Sequence, residues 1–256
     1  MATFEVLLVA AISGLIFGNF LNVCIYRLPR KESVNFPASH CTSCGRPLSW
    51  YENVPLVSWL ALRGRCRTCG AAISPAYPLV EVTTALLFAG GVLVYGLTPL
   101  MVVRVAFASA LIVLFVIDLR HRILPNVITL PGIVIGFVAS LFLPPGWVQS
   151  LIGILAGGGV LLALSEIYLR TRGREGLGMG DVKMLAMIGA FLGWPLMLLT
   201  LVIASFSGSV IGLWVIATRK GGMQASLPFG TFLAIGAVVA AVTGDAILAW
   251  YLGLYP

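Results

Sequence analysis

Charge is what this chain has least of. Asp, Glu, Lys and Arg make up only 10% of its 256 residues, under half of the roughly 25% typical of soluble domains. That scarcity excludes an ordinary water-soluble globule. The apolar stretches also lack the alternation of polar and apolar residues that a transmembrane β-barrel requires. The first of them lacks a small-residue cleavage signal and is too long for a secretory leader, so it reads as part of the mature protein. What is left is 59% hydrophobic, arranged in runs near twenty residues. A helical run of that length crosses about 30 Å of hydrocarbon. The expected class is an all-α polytopic membrane protein.

Eight membrane helices are expected, at 4–26, 79–97, 100–117, 127–143, 148–169, 181–193, 196–217 and 229–252. The sixth is short, at roughly 20 Å, and suits a thinned or protein-buried region. Lysine and arginine then set the orientation. With the N-terminus outside, the inner segments carry Arg27, Arg30, Lys31, Arg46, Arg63, Arg65 and Arg67, then Arg120 and Arg122. They go on to carry Arg170, Arg172 and Arg174, then Arg219 and Lys220. The short outer turns carry none, as expected when positive residues stay in the cytoplasm. Arg104, a turn inside the third helix, is the one poor fit and snorkels outward on this reading. The net charge of +7 therefore reflects topology and acidic lipid, and gives no reason to expect nucleic acid.

Parity brings two carboxylates to one face. The third helix runs inward and ends at Asp118; the sixth runs outward and begins at Asp181. Asp245 falls on the opposite face, whereas Glu81 and Glu166 also map to the inner one. Two carboxyls a few Å apart cannot both ionise cheaply and share a proton. Such a pair suits hydrolysis of a peptide bond: the ionised member deprotonates water, and the protonated member polarises the carbonyl. Gly178 and Gly180 would allow positive φ and let a second backbone approach. The plainer alternative is that Asp181 caps a helix and that Asp118, close to Arg120, is merely interfacial. Lys183 either pairs with Asp181 or snorkels.

A second constellation lies in the long segment 27–77. Cys41-Thr-Ser-Cys44 and Cys66-Arg-Thr-Cys69 are two Cys-x-x-Cys arms separated by 21 residues, each followed by glycine. That spacing indicates a tetrathiolate zinc site, structural because four thiols leave no open position. The alternative, a disulfide pair, conflicts with a cytosolic loop. Cys24 reads as a small packed residue, and His40 as a spare ligand. The aromatic stretch 50–59 (WYENVPLVSW) suggests a small lid on the membrane face. Tyr51, Asn53 and Gly64 could line a polar pocket there, although ordinary turn chemistry explains them more simply. Gly157, Gly158, Gly159, Gly208 and Gly212 read as close helix packing.

These motifs, in this order, resemble one family. They are GNFLNVCIYRLP at 18–29, the two cysteine arms, WYENVP at 50–55 and LRGRC at 62–66. SPAYPLVE follows at 74–81, IDLRHRILPNVITLP at 117–131, GMGDVKML at 178–185 and LPFG at 227–230. The chain is similar to bacterial type IV prepilin peptidases, which are leader peptidases and N-methyltransferases. The resemblance implies an intramembrane aspartic protease of the Gly-x-Gly-Asp kind, with Asp118 and Asp181 catalytic and Gly178, Gly180 and Lys183 supporting them. It implies prepilin or pseudopilin substrates, cut after a glycine at the cytoplasmic face of the inner membrane. It also implies methylation of the new N-terminal amine, usually of phenylalanine, by S-adenosylmethionine. Tyr51, Asn53, Gly64 and Glu81 are the candidates for holding that donor. The implied division is a first helix at 1–26, a zinc loop at 27–78 associated with methyl transfer, and a peptidase domain at 79–256. One departure is Asn126, where many relatives carry Asp. Two other classes fit the sequence less well. A proton-coupled transporter would want mid-depth charges and an inverted repeat. A membrane-anchored zinc module would leave the Gly-x-Gly-Asp segment unexplained.

Overall fold

A computed structural model describes residues 3–172, 178–218 and 227–253. Arg174, Arg219 and Lys220 lie outside the described residues. The fold is all-helical, with two isolated β-bridges and no strands among the described residues. The helices are α1 (Phe4–Arg27), α2 (Val57–Ala61), α3 (Ala76–Tyr95), α4 (Pro99–His121), α5 (Asn126–Ser140), α6 (Trp147–Arg172), α7 (Met179–Thr218) and α8 (Phe229–Leu252). Six of them are long and apolar enough to cross a membrane, with α5 a shorter apolar helix. The chain forms two compact units, Met1–Val113 and Leu114–Pro256.

The count of eight apolar segments holds, with one difference in how they are joined. The sixth and seventh form the single element α7, whose 40 residues would extend about 60 Å, twice the hydrocarbon thickness. The element is broken at Gly193, which has φ 78° and ψ 170°. Only glycine takes that conformation readily, and Pro195 two residues later removes a further helical hydrogen bond. Two apolar arms therefore meet at residue 193, as the sequence reading expected. Elsewhere the ends move by a few residues. α4 continues past Asp118 to His121, and α3 starts at Ala76 with Pro78 in its first turn, where a missing N–H costs nothing.

In the first unit α1 packs on α3 through glycine. A Cβ on Gly14 would stand 2.6 Å from the Ala85 Cα, and one on Gly18 would stand 2.7 Å from the Glu81 Cα. Helices gain contact in lipid by this small-residue approach. Polar ties join the helices to the intervening loop. Asn22 Nδ2 donates to the Tyr77 carbonyl at 3.0 Å, and Asn19 Nδ2 to the Asn53 carbonyl at 3.2 Å. Arg27 is buried and donates to the carbonyls of Ser33 and Pro37. It folds the start of the loop back on α1.

In the second unit the first arm of α7 is the core. Residues 184–193 are buried without interruption, among α5, α6 and α8. The short sixth segment can stop short of the full bilayer thickness because protein surrounds it. Glycines on its neighbours make room. Gly136 lies against Ala190 and Phe191, and Gly157 against the Leu185 carbonyl. Gly208 and Gly212 meet Phe232 and Leu227, while Gly159 faces open space. At Gly153 and Gly189 the backbones of α6 and α7 touch directly, so a Cβ on either would overlap the other's carbonyl. Gly189→Ala is expected to cost about 1–3 kcal/mol through overpacking and to lower the apparent Tm of the purified protein by several degrees. Gly159→Ala should leave it nearly unchanged. Equal shifts in a paired thermal-unfolding measurement would refute this account of the α6–α7 contact.

Candidate active site and metal centre

Asp118 sits in the last turn of α4 and is only 4% exposed. A carboxylate so placed needs donors, and α8 supplies them. The Thr231 backbone N–H donates to Asp118 Oδ2 at 2.7 Å, and the Thr231 hydroxyl to the same oxygen at 3.1 Å. Asp181 lies in the first turn of α7, two residues inside its first residue, Met179. Its Oδ2 lies beside Gly178, where a Cβ would stand 3.4 Å away, and the Gly230 amide is near its carboxylate. Asp181 is thus no N-cap. Its carboxylate reaches back toward the Gly178 amide, as an acidic residue does at the third position of a helix. The plainer structural reading of Asp181 is therefore partly right. It does not account for Gly230, which belongs to α8. Both carboxylates meet the first turn of one helix, whose dipole favours negative charge.

Close packing surrounds this meeting point. Leu124 lies against both Gly180 and Gly230: a Cβ on either would come within 2.9 Å of its side chain. A Cβ on Gly230 would also stand 3.1 Å from Asp118 Oδ2. The expected positive φ at Gly178 and Gly180 is not found. Gly180 is needed for the approach of Leu124. A Cβ on Gly178 would make only an ordinary 3.4 Å contact with Asp181 Oδ2. Lys183 does not pair with Asp181. Its Nζ donates to Asn126 Oδ1 at 2.9 Å, joining the start of α7 to the start of α5. Of the other carboxylates, Glu166 pairs with Arg170 at 2.8 Å on the exposed face of α6. Glu81 Oε2 accepts the Leu56 amide at 2.7 Å. Sequence reasoning missed Thr231 and Leu124. The LPFG segment at 227–230 was noticed only as a likeness, although a Gly-Thr pair opening an apolar helix offers free amides and a hydroxyl.

The four cysteines converge. One sulfur from each of Cys41, Cys44, Cys66 and Cys69 lies within 4.8 Å of all the others, and Cys41 and Cys69 are 3.8 Å apart. Tetrahedral coordination with metal–sulfur bonds of about 2.3 Å needs sulfurs roughly 3.8 Å apart. The cluster is compatible with a metal ion. The two arms repeat one geometry. The Cys41 amide donates to the Arg46 carbonyl and the Gly45 amide to the Cys41 carbonyl; Cys66 with Ala71 and Gly70 with Cys66 do the same. Gly45 and Gly70 have φ of 71° and 69°, so the glycine after each pair is what the tight turn requires. Turn amides of Cys69 and Thr68 lower the Cys66 thiol to about 6. Despite the Ala71 amide, Cys69 is pushed up to about 11 by Cys66, Cys44 and Cys41. A thiolate at Cys66 makes it costly to ionise Cys69 beside it unless a cation takes the place of the proton.

The short 3₁₀ turn Trp50–Asn53 is tied to both arms. Arg46 Nη2 reaches the two Glu52 oxygens at 2.7 and 2.8 Å, and Arg67 Nη1 donates to the Tyr51 hydroxyl at 2.6 Å. The Arg46 guanidinium holds the Glu52 carboxyl below its ordinary range. Asn53 is held to α1 by Asn19, and Leu56 to α3 by Glu81. Tyr51, Asn53 and Glu81 therefore bracket the stretch 51–56. Gly64 has φ 65° and packs beneath the Trp59 ring, which a Cβ would meet at 2.9 Å. Its amide closes the end of α2 on the Trp59 carbonyl.

Comparison with known proteins follows the same division. Residues 12–95 match the family described as the bacterial peptidase A24 N-terminal domain, and residues 105–213 match the type IV leader peptidase family. A prepilin leader peptidase/N-methyltransferase of Pseudomonas putida is 35% identical, over 94% of this chain and 91% of the relative. A protein of the same description from Aeromonas salmonicida is 37% identical, over 93% and 91%. One from Myxococcus xanthus is 43% identical, over 82% of this chain and 63% of its own length. The chain belongs to the type IV leader peptidase family. No solved structure matches it. All four cysteines fall in the first matched segment and both aspartates in the second; Thr231 lies beyond both. Within this leader peptidase, α8 thus adds donors to the carboxylates from outside the segments that define the family.

Proposed function

We propose that this chain cleaves the leader of prepilin or pseudopilin precursors with Asp118 and Asp181, then methylates the new N-terminal amine. The observation that carries the reading is that two carboxylates, 63 residues apart in the sequence, meet the same first turn of α8. The pair shares one proton. The ionised carboxylate takes a proton from water as its oxygen attacks the scissile carbonyl. The protonated one donates to the carbonyl oxygen. Gly178, Gly180 and Lys183 support the pair, Gly180 by admitting Leu124 and Lys183 by tying α7 to α5 through Asn126.

The topology proposed is N-terminus outside, with the dyad at the cytoplasmic face of the bacterial inner membrane. A precursor's basic leader would stay in the cytoplasm and its apolar helix in lipid, with the cut after a glycine at their boundary. The segment 27–78 is proposed to serve methyl transfer and 79–256 to serve hydrolysis. Cys41, Cys44, Cys66 and Cys69 would hold a structural zinc ion. S-adenosylmethionine, when bound, supplies the methyl group, and Tyr51, Asn53, Gly64 and Glu81 are the candidates for its site. The geometry supports Tyr51, Asn53 and Glu81 as one locus; Gly64 has a sufficient role in closing α2.

Intact-mass measurement of a purified prepilin-class substrate tests both halves at once. Incubation with the enzyme alone should remove the leader. Adding S-adenosylmethionine should add the mass of one methyl group, about 14 Da, to the mature chain only. An unshortened substrate would refute the peptidase, and a mature chain that never gains mass would refute the methyltransferase.

A further inference from the structure

Thr231 behaves unlike four other threonines of the long helices. Thr84, Thr200, Thr218 and Thr243 each donate their hydroxyl to the carbonyl four residues earlier, the usual outlet for a helical threonine. Thr231 lies in the first turn of α8, which begins at Phe229, so it has no carbonyl of its own helix to reach. Its hydroxyl turns instead to Asp118 Oδ2, at 3.1 Å, beside its own N–H at 2.7 Å. A backbone N–H can only donate. An oxygen that accepts it together with a hydroxyl is not the oxygen that carries a proton. Charge-assisted bonds of this kind are about twice as strong as neutral ones, and here they act on a carboxylate that is 4% exposed. Among the described residues no hydroxyl donates to Asp181, and only the Gly178 and Gly230 amides lie near its carboxylate.

We propose that Thr231 is a positioning residue that keeps Asp118 as the ionised member of the pair and so divides the labour of hydrolysis. The inference rests on the aspartate-pair reading given above. With Oδ2 committed to Thr231, Asp118 takes the water proton on Oδ1 as the water oxygen bonds to the carbonyl carbon. The proton held by Asp181 passes to the carbonyl oxygen. On collapse the C–N bond breaks and the leaving nitrogen receives the proton from Asp118. The gem-diol hydroxyl returns its proton to Asp181, so both carboxyls end as they began.

The test compares Thr231→Val with Thr231→Ser in purified enzyme acting on a purified prepilin-class precursor. Val keeps the shape and the N–H but loses the hydroxyl; Ser keeps the hydroxyl. Loss of a hydrogen bond to a charged group should lower kcat about 10- to 100-fold in Thr231→Val, with KM within about twofold. Thr231→Ser should stay within about threefold of the parent. Wild-type kcat in Thr231→Val, an equal loss in Thr231→Ser, or a loss confined to KM would each overturn the proposal. If Thr231→Val does not accumulate, Thr231→Ala against Thr231→Ser is judged by the same criteria. Asp118→Asn run alongside separates the two claims. An inactive Asp118→Asn with a fully active Thr231→Val defeats only the role of Thr231, whereas an active Asp118→Asn defeats the pair itself.

Discussion

Asp118→Asn and Asp181→Asn are each expected to lower leader cleavage by at least about 10²- to 10⁴-fold, the usual worth of a general acid or base. Both variants should still insert into the membrane and still methylate a substrate supplied without its leader. Asparagine has nearly the shape of aspartate, so helix packing around Leu124 and Gly230 should survive. At position 118 the amide oxygen can still accept from Thr231, and the local hydrogen bonds persist. What is lost is the capacity to take or give a proton. The two single variants and the double variant should be nearly equal in rate, because a pair sharing one proton works as a unit. Initial rates from intact-mass or gel assays of a prepilin-class substrate decide the matter. Substantial processing by either single variant would remove that residue from the chemistry. Losses that multiply in the double variant would show two independent contributions in place of a shared proton.

The sequence exposes these two aspartates because each is a charge beside a long apolar run, where charge is rare and costly. Helix parity then needs only the run lengths and the arginines. The break at Gly193 is equally legible, since glycine followed closely by proline interrupts a helix wherever it occurs. Contacts between distant segments are another matter. Thr231 lies 113 residues from Asp118; its place in a helix's first turn hints at free donors but says nothing of which distant residue receives them. Lys183 is two residues from Asp181, which made an ion pair with it the natural local guess; its partner, Asn126, is 57 residues away. Of the two reasons the sequence offers for the glycine before Asp181, positive φ and close approach, the first is not found. The requirement is spatial, because Leu124 fills the place of a Cβ. Periodicity and charge report what a residue does along its own helix, and side chains that cross between helices escape them.

The cysteine arms carry the second large effect. Cys41→Ser and Cys66→Ser are each expected to release zinc and to impair methylation much more than cleavage. A hydroxyl is a poor substitute for a thiolate toward zinc, and each arm holds its two sulfurs through one glycine turn. Losing one of four ligands from a closed site should weaken retention by well over the ~10–100-fold attributed to altered supporting contacts. The reason for the asymmetry lies in the connections. Arg46 follows the first arm and grips Glu52; Arg67, inside the second arm, grips the Tyr51 hydroxyl. The turn at 50–53 is thus held from both sides by residues whose positions depend on the arms, and through Asn53 and Leu56 it meets α1 and α3. Loosening the arms displaces the proposed donor locus. Asp118, Asp181 and Thr231 lie in the second unit, on α4, α7 and α8, whereas all four cysteines lie in the first. Metal analysis of protein purified without chelator should find about one zinc per parent chain, as a four-thiolate site requires, and far less in the variants. Methyl incorporation into a mature substrate should fall at least about tenfold in proportion to the lost metal, while cleavage stays within about twofold. A parent protein that binds no metal would defeat the zinc assignment. Parallel loss of both activities would instead mean that the loop supports the whole enzyme, not the methyl-transfer site alone.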